Sequence, residues 1–157
     1  CLHVLAIMFL SKPQFRAFQL MDRMVGRRVS CESDGPPVGG IACLSTDGNT
    51  LQVMLYSIIG DYRHDAYETA VTLEIEGFDL DGCAVREWRI APGECDPYLA
   101  WQRMGEPEEL TEAQHRALLE ASEIPPPDTL APEGDRISFV MPGSSAALVE
   151  ISRDADR

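Results

Sequence analysis

Apolar and polar positions alternate with period two over Ala70–Gly77, which sets Val71, Leu73 and Ile75 against Thr72, Glu74 and Glu76. That pattern predicts a half-buried strand. Further runs read as strands. Ile41–Ser45 and Leu51–Ile58 flank Thr46-Asp47-Gly48-Asn49, whose Asp-Gly pair predicts a tight hairpin. In the run 83–90, Cys83, Val85, Glu87 and Arg89 alternate with Ala84, Arg86, Trp88 and Ile90. Arg136–Met141 and Ala146–Ser152 are joined across Pro142-Gly143-Ser144-Ser145. The expectation is six strands with no internal repeat.

Helical spacing occurs in three places. After Ser11-Lys12-Pro13, the residues Phe15, Phe18, Met21, Met24 and Val25 recur every three or four positions, with Arg16, Gln19 and Arg23 opposite, until Gly26. Asp96-Pro97 supplies a cap and a first-turn proline for a helix placing Tyr98, Trp101 and Met104 on one face, closed by Gly105. Thr111-Glu112-Ala113-Gln114 is a capping box, and Pro125-Pro126-Pro127 forbids continuation of the helix it opens. Ser30–Gly40, with Asp34-Gly35-Pro36-Pro37, reads as a connector. The boundary falls there, giving residues 1–29 and 30–157 as separate parts. Closely spaced strands joined by Gly and Asp turns predict a mainly β fold, an antiparallel β-sandwich with a short two-helix insertion at about 96–124.

Composition narrows the class. The chain has 157 residues, 45% hydrophobic, and a formal charge of −13. That charge disfavours nucleic acid and anionic lipid as partners. Cys1, Cys31, Cys43, Cys83 and Cys95 form no CxxC pair and have no histidine at ligand spacing, so no metal or cofactor is expected. Cys43 and Cys83 lie in strand-like runs and are expected as buried thiols; the odd count leans towards a reducing, cytoplasmic compartment. The start, Cys1-Leu2-His3-Val4-Leu5-Ala6-Ile7-Met8-Phe9-Leu10, lacks the basic residues and cleavage site of a signal peptide and is too short to span a bilayer. It reads as a strand of a longer protein.

Chemistry is sparse. Asp61, His64 and Asp65 gather acid–base groups in one loop, but no second cluster completes a metal site. Ser144-Ser145 lacks a nucleophile elbow, and no phosphate loop occurs. Tyr98 and Trp101 could stack on a sugar, although aromatics on the inner side of a short helix usually belong to the core. They are expected, with Met104, to pack the helix on the sandwich.

The segment Trp88-Arg89-Ile90 through Tyr98-x-x-Trp101-x-x-Met104-Gly105-x-Pro107, continued by Leu110-Thr111, Gln114 and Leu118, resembles the C-terminal region of glycoside hydrolase family 39, of β-xylosidases and α-L-iduronidases. Lys12–Leu20 is similar to the last barrel helix of that family, and Leu51–Ser57 to the first long strand of its accessory sandwich. The resemblance implies a retaining enzyme with two glutamates on a (β/α)8 barrel, both upstream of Cys1. Residues 1–29 would then be a strand-helix remnant of that barrel, and no catalytic residue carries over. Where the family pattern has an acidic residue after Arg-Ile, then a His and an Asn, this chain has Ala91, Glu94 and Asp96. Glu94 and Asp96 are the candidates to border a substrate cleft. The implied partners are the catalytic barrel of the parent chain and, through it, an oligosaccharide. The rival readings are a free-standing sandwich that binds carbohydrate or a protein, and an enzyme using the Asp61, His64 and Asp65 loop.

Overall fold

The two strands that organise the molecule are buried along most of both faces. The computed structural model describes residues 13–58 and 67–153; the run Cys1–Leu10 and the loop of Asp61, His64 and Asp65 lie outside them. Strand β3 (Thr50–Ser57) and strand β8 (Ser145–Ser152) pair antiparallel at the centre of a six-stranded sheet. Its order is β1-β2-β3-β8-β5-β6, with β1 (Arg27–Val29), β2 (Val38–Leu44), β5 (Ala84–Ile90) and β6 (Asp128–Leu130). A two-stranded sheet of β4 (Glu68–Glu74) and β7 (Arg136–Pro142) covers one face. The antiparallel sandwich expected from the sequence is therefore present.

Strand alternation sorts the core into two layers. Leu51, Val53, Leu55, Val85, Ala147, Val149 and Ile151 meet Val71, Ile137 and Met141 of the small sheet. The opposite face brings Met54, Leu148 and Ile90 against Leu20 of helix α1 (Pro13–Asp22). Ala147, Leu148, Val149 and Ile151 are wholly buried, and each of the larger side chains contributes about 1.5–3 kcal/mol relative to exposure.

Helix α1 and the turn after it meet the sheet through Ala17, Leu20 and Met24. Phe15, Phe18, Met21 and Val25 point away from it, 53%, 67%, 43% and 56% exposed. The helix carries apolar residues on two stripes, and spacing alone does not select which stripe the sheet takes. Arg16, on the opposite face from Phe15 and Phe18, is drawn inward. Its Nε donates to the Ser122 carbonyl at 2.8 Å, and Nη2 pairs with Glu123 Oε1 at 2.6 Å. Arg23 lies over the Trp88 ring, 4.9 Å from its centroid.

Buried Gln52 ties the end of α1 to the sheet. Its Oε1 accepts from the Val25 N–H at 2.9 Å, while Nε2 donates to the Arg23 carbonyl and to Glu150 Oε2, both at 3.0 Å. Directly after this tie, Gly26 turns the chain at φ +97°, and a Cβ there would lie 2.1 Å from the Leu44 carbonyl oxygen. Only glycine fits both demands. The chain then enters β1, whose Arg27, Arg28 and Val29 pair with Leu44, Cys43 and Ala42. The large sheet thus begins within the first 29 residues.

Strands β1 and β6 were not expected. Each spans three residues at a sheet edge and carries charge at Arg27, Arg28 or Asp128, so neither shows a period. The connection from β5 to β6 holds helix α2 (Pro97–Arg103) and helix α3 (Glu112–Ala121), the expected insertion. Asp96 caps α2, and Thr111 with Gln114 forms the capping box of α3.

Replacing Gln52 by Leu keeps the volume but strands the Val25 N–H, the Arg23 carbonyl and Glu150. The variant should lose about 2–3 kcal/mol in urea unfolding, with faster hydrogen exchange at Val25. An unchanged midpoint would show that the tie contributes nothing.

Candidate functional site

The loop Ala91–Asp96 leaves the end of β5 and delivers the chain to α2. Pro92 and Gly93 turn it back so that Ala91 and Glu94 exchange backbone hydrogen bonds at 2.8 and 3.2 Å. Gly93 adopts φ +83° and Cys95 φ +57°. The second value is unusual for a side-chain-bearing residue. Cys95 is held there by burial at 5% exposure and by its Sγ donating to the Ser122 carbonyl at 3.3 Å. Burial pushes this thiol's pKa up.

Glu94 and Asp96 both sit on this loop, and both are engaged. Arg89 holds Glu94 in a two-pronged pair, Nε to Oε2 at 2.8 Å and Nη2 to Oε1 at 3.0 Å. Asp96 Oδ1 accepts from the Leu99 N–H at 3.0 Å as the cap of α2, and Oδ2 lies 3.4 Å from the Gly93 nitrogen. A concavity of about 430 Å³ opens beside them, with Arg103, Glu120 and Glu123 on its far wall.

Beneath the loop lies a group the sequence reading did not single out. Glu87 is 3% exposed, its Oε1 has no hydrogen-bond partner, and Arg89 Nη1 stands 3.6 Å away. Asp128 Oδ2 lies 3.7 Å from Arg89 Nη2, so one guanidinium faces three carboxylates. Burial raises the Glu87 pKa, opposed by Arg89 and reinforced by Asp128 and Glu94. The hydrogen bonds that Arg89 donates to Glu94 lead its upward pKa shift. A signal for this cluster existed: opposite charges two residues apart on the strand face that also carries Val85.

The arrangement shapes a loop and offers no catalytic pair. A glycosidase needs two carboxyl groups about 5–9 Å apart across the scissile bond, whereas Glu94 and Asp96 are each bound to a neighbour. Among the described residues no cluster of His, Cys, Asp or Glu could hold a metal ion. No helix among them is long and apolar enough to cross a membrane.

The three residues expected to pack α2 separate. Trp101 and Met104 are half-buried, and the Trp101 Nε1–H donates to the Pro107 carbonyl at 3.2 Å, closing the Met-Gly-x-Pro turn. Tyr98 is 64% exposed, which corrects its expected place in the core. It stands on the first turn of a seven-residue helix, which is too short to bury that turn as well as the last. Cys43 and Cys83 are likewise only half-buried, and Cys83 precedes β5; Cys95 is the buried thiol. At strand ends the sheet is no longer covered on both sides.

The family model of glycosyl hydrolases family 39 matches residues 1–134. The chain belongs to this family. Among solved structures, it is similar to a monomeric β-xylosidase from Caulobacter crescentus CB15, with 20% identity and a TM-score of 0.73 over 93% of this chain and 31% of that one. A second β-xylosidase of the same family from Caulobacter crescentus gives 22% identity and a TM-score of 0.68 over 90% of this chain and 28% of that one. The family 39 enzyme from Xanthomonas axonopodis pv. citri gives 11% and 0.66 over 91% of this chain and 30% of that one. These likenesses show the shared fold, and the chain spans less than a third of each of those proteins. No curated protein matches the chain.

Because the Glu87 pKa is raised from 4.5, the folded chain keeps a proton that the unfolded chain has already released. Stability should therefore fall as pH rises from 4.5 through the raised value. Glu87→Gln should flatten that slope and raise the urea midpoint at neutral pH. A slope identical in the variant would remove Glu87 as its source.

Proposed function

We propose that this chain is the C-terminal accessory part of a retaining, β-xylosidase-like glycoside hydrolase, bracing a catalytic barrel and inactive by itself. The observation that carries the reading is the double-sided apolarity of α1 and the turn that follows it. One stripe, Ala17, Leu20 and Met24, is used by the sandwich. The other, Phe15, Phe18, Met21 and Val25, faces solvent, and contiguous exposed apolar surface of this kind marks an interface.

A barrel helix that also serves as one layer of an accessory sandwich needs both stripes. On this reading residues up to about 29 end the barrel, and 30–157 form the accessory domain, with β1 stitching the first part to the second. The two catalytic glutamates then lie upstream, and hydrolysis proceeds there with retention. The loop of Glu94 and Asp96 adjoins α1 through Cys95, which clusters with Leu20 and Ile90. That position supports its bordering the barrel's cleft, with Glu94 and Asp96 fixing the loop's shape.

Two proteins test the proposal: this chain, and the same chain extended by the upstream coding sequence. The extended protein should release nitrophenol from an aryl β-xyloside, and this chain alone should not. Phe18→Ser should leave the isolated chain within about 0.5 kcal/mol of its original stability, as an exposed site does, yet destabilise the extended protein by about 2 kcal/mol or more. Turnover by the isolated chain, or equal effects of Phe18→Ser in both, would overturn the reading.

A further inference from the structure

The bracing role leaves the Tyr98 ring unused. It is 64% exposed, and Trp101, one turn later on the same side of α2, is half-buried. The ring centroids are 5.8 Å apart with planes inclined at 31°, so the pair makes a shallow open corner rather than a closed stack.

Polar groups rim this corner. Gln102 Nε2 lies 3.4 Å from both the Tyr98 hydroxyl and Glu106 Oε1. Glu106 follows Gly105 at φ +54°, a left-handed conformation that costs a residue with a side chain about 1–2 kcal/mol. Its N–H is secured to the Trp101 carbonyl at 3.2 Å, and the Trp101 indole is secured to Pro107. The base of the corner is therefore fixed before anything binds, which lowers the ordering cost of binding.

A pyranose ring has an apolar C–H face and a rim of hydroxyls. An exposed aromatic face suits the first, and an adjacent amide and carboxylate suit the second. We propose that Tyr98, Trp101, Gln102 and Glu106 form a platform for a neutral pyranose unit of an oligosaccharide. Neutrality follows from charge: Glu106, Glu108 and Glu109 crowd the adjoining turn, all exposed, and would repel a uronic acid. The platform stands independently of the bracing role, since none of its four side chains belongs to α1 or to the sheet.

The test titrates this 157-residue chain with β-1,4-linked xylo- and cello-oligosaccharides while following the two indole N–H signals. Trp101 should shift and Trp88, beneath Arg23, should not. Tyr98→Ala should weaken binding by about tenfold or more, whereas Tyr98→Phe should stay within about threefold. Tyr98 is exposed, so an unchanged urea midpoint will separate lost binding from lost folding. Absence of a Trp101 shift, or equal affinity in Tyr98→Ala, would overturn the platform. So would protection of the Tyr98 ring from nitration in the upstream-extended protein, which would assign the ring to the barrel interface. Failure of the Phe18 test leaves this titration unaffected, so the two readings fall separately.

Discussion

Apolar side chains on both faces of β3 and β8 must be covered, and the rest of the molecule follows from that demand. Successive residues of a strand point to opposite sides, so Val53 and Val149 go to the small sheet while Met54 and Leu148 go to α1. Without α1, Met54, Leu148 and Ile90 would face water. The helix is therefore part of the sandwich's core, whatever else it touches. Its polar ties are few and specific: Gln52 satisfies the groups at its C-terminal end, and Arg16 reaches across to the far end of α3.

The helical insertion meets this arrangement around a buried carbonyl. Ser122 is 1% exposed, and its oxygen accepts from both Arg16 Nε and Cys95 Sγ. Helix α1, the Ala91–Asp96 loop and the C-terminal end of α3 thus converge on a single acceptor. A displacement of α1 would be felt by the loop without passing through the sheet. A carbonyl oxygen has two lone pairs, and here both are used.

What could be read from the sequence is what a one-sided environment imposes. Val71, Leu73 and Ile75 alternate cleanly because the outer face of β4 is solvated, and both helix caps of the insertion announce themselves in side-chain chemistry. The opposite holds where burial is two-sided or absent. Strand β3 is a nearly continuous apolar run whose facing carries no period, and α1 has two apolar stripes of which the wheel cannot choose one. Edge strands of only three residues leave no pattern at all. Glu87 and Arg89 were visible as an alternating pair, yet burial of the acid depends on β6 arriving from forty residues further along the chain, beyond any local signal.

The carboxylates at the junctions of the fold are committed to structural contacts. General acid and nucleophile roles require oxygens free to meet a substrate, at a fixed separation, with their lone pairs uncommitted. Glu94 is clasped by Arg89, Asp96 caps a helix, and Glu150 receives Gln52. Glu87 does have an uncommitted oxygen, but it is enclosed within the sheet, and its raised pKa reflects burial rather than a poised cleft. For Glu94, Asp96 and Glu150 the charge stabilises a junction: loop to strand, loop to helix, helix to sheet.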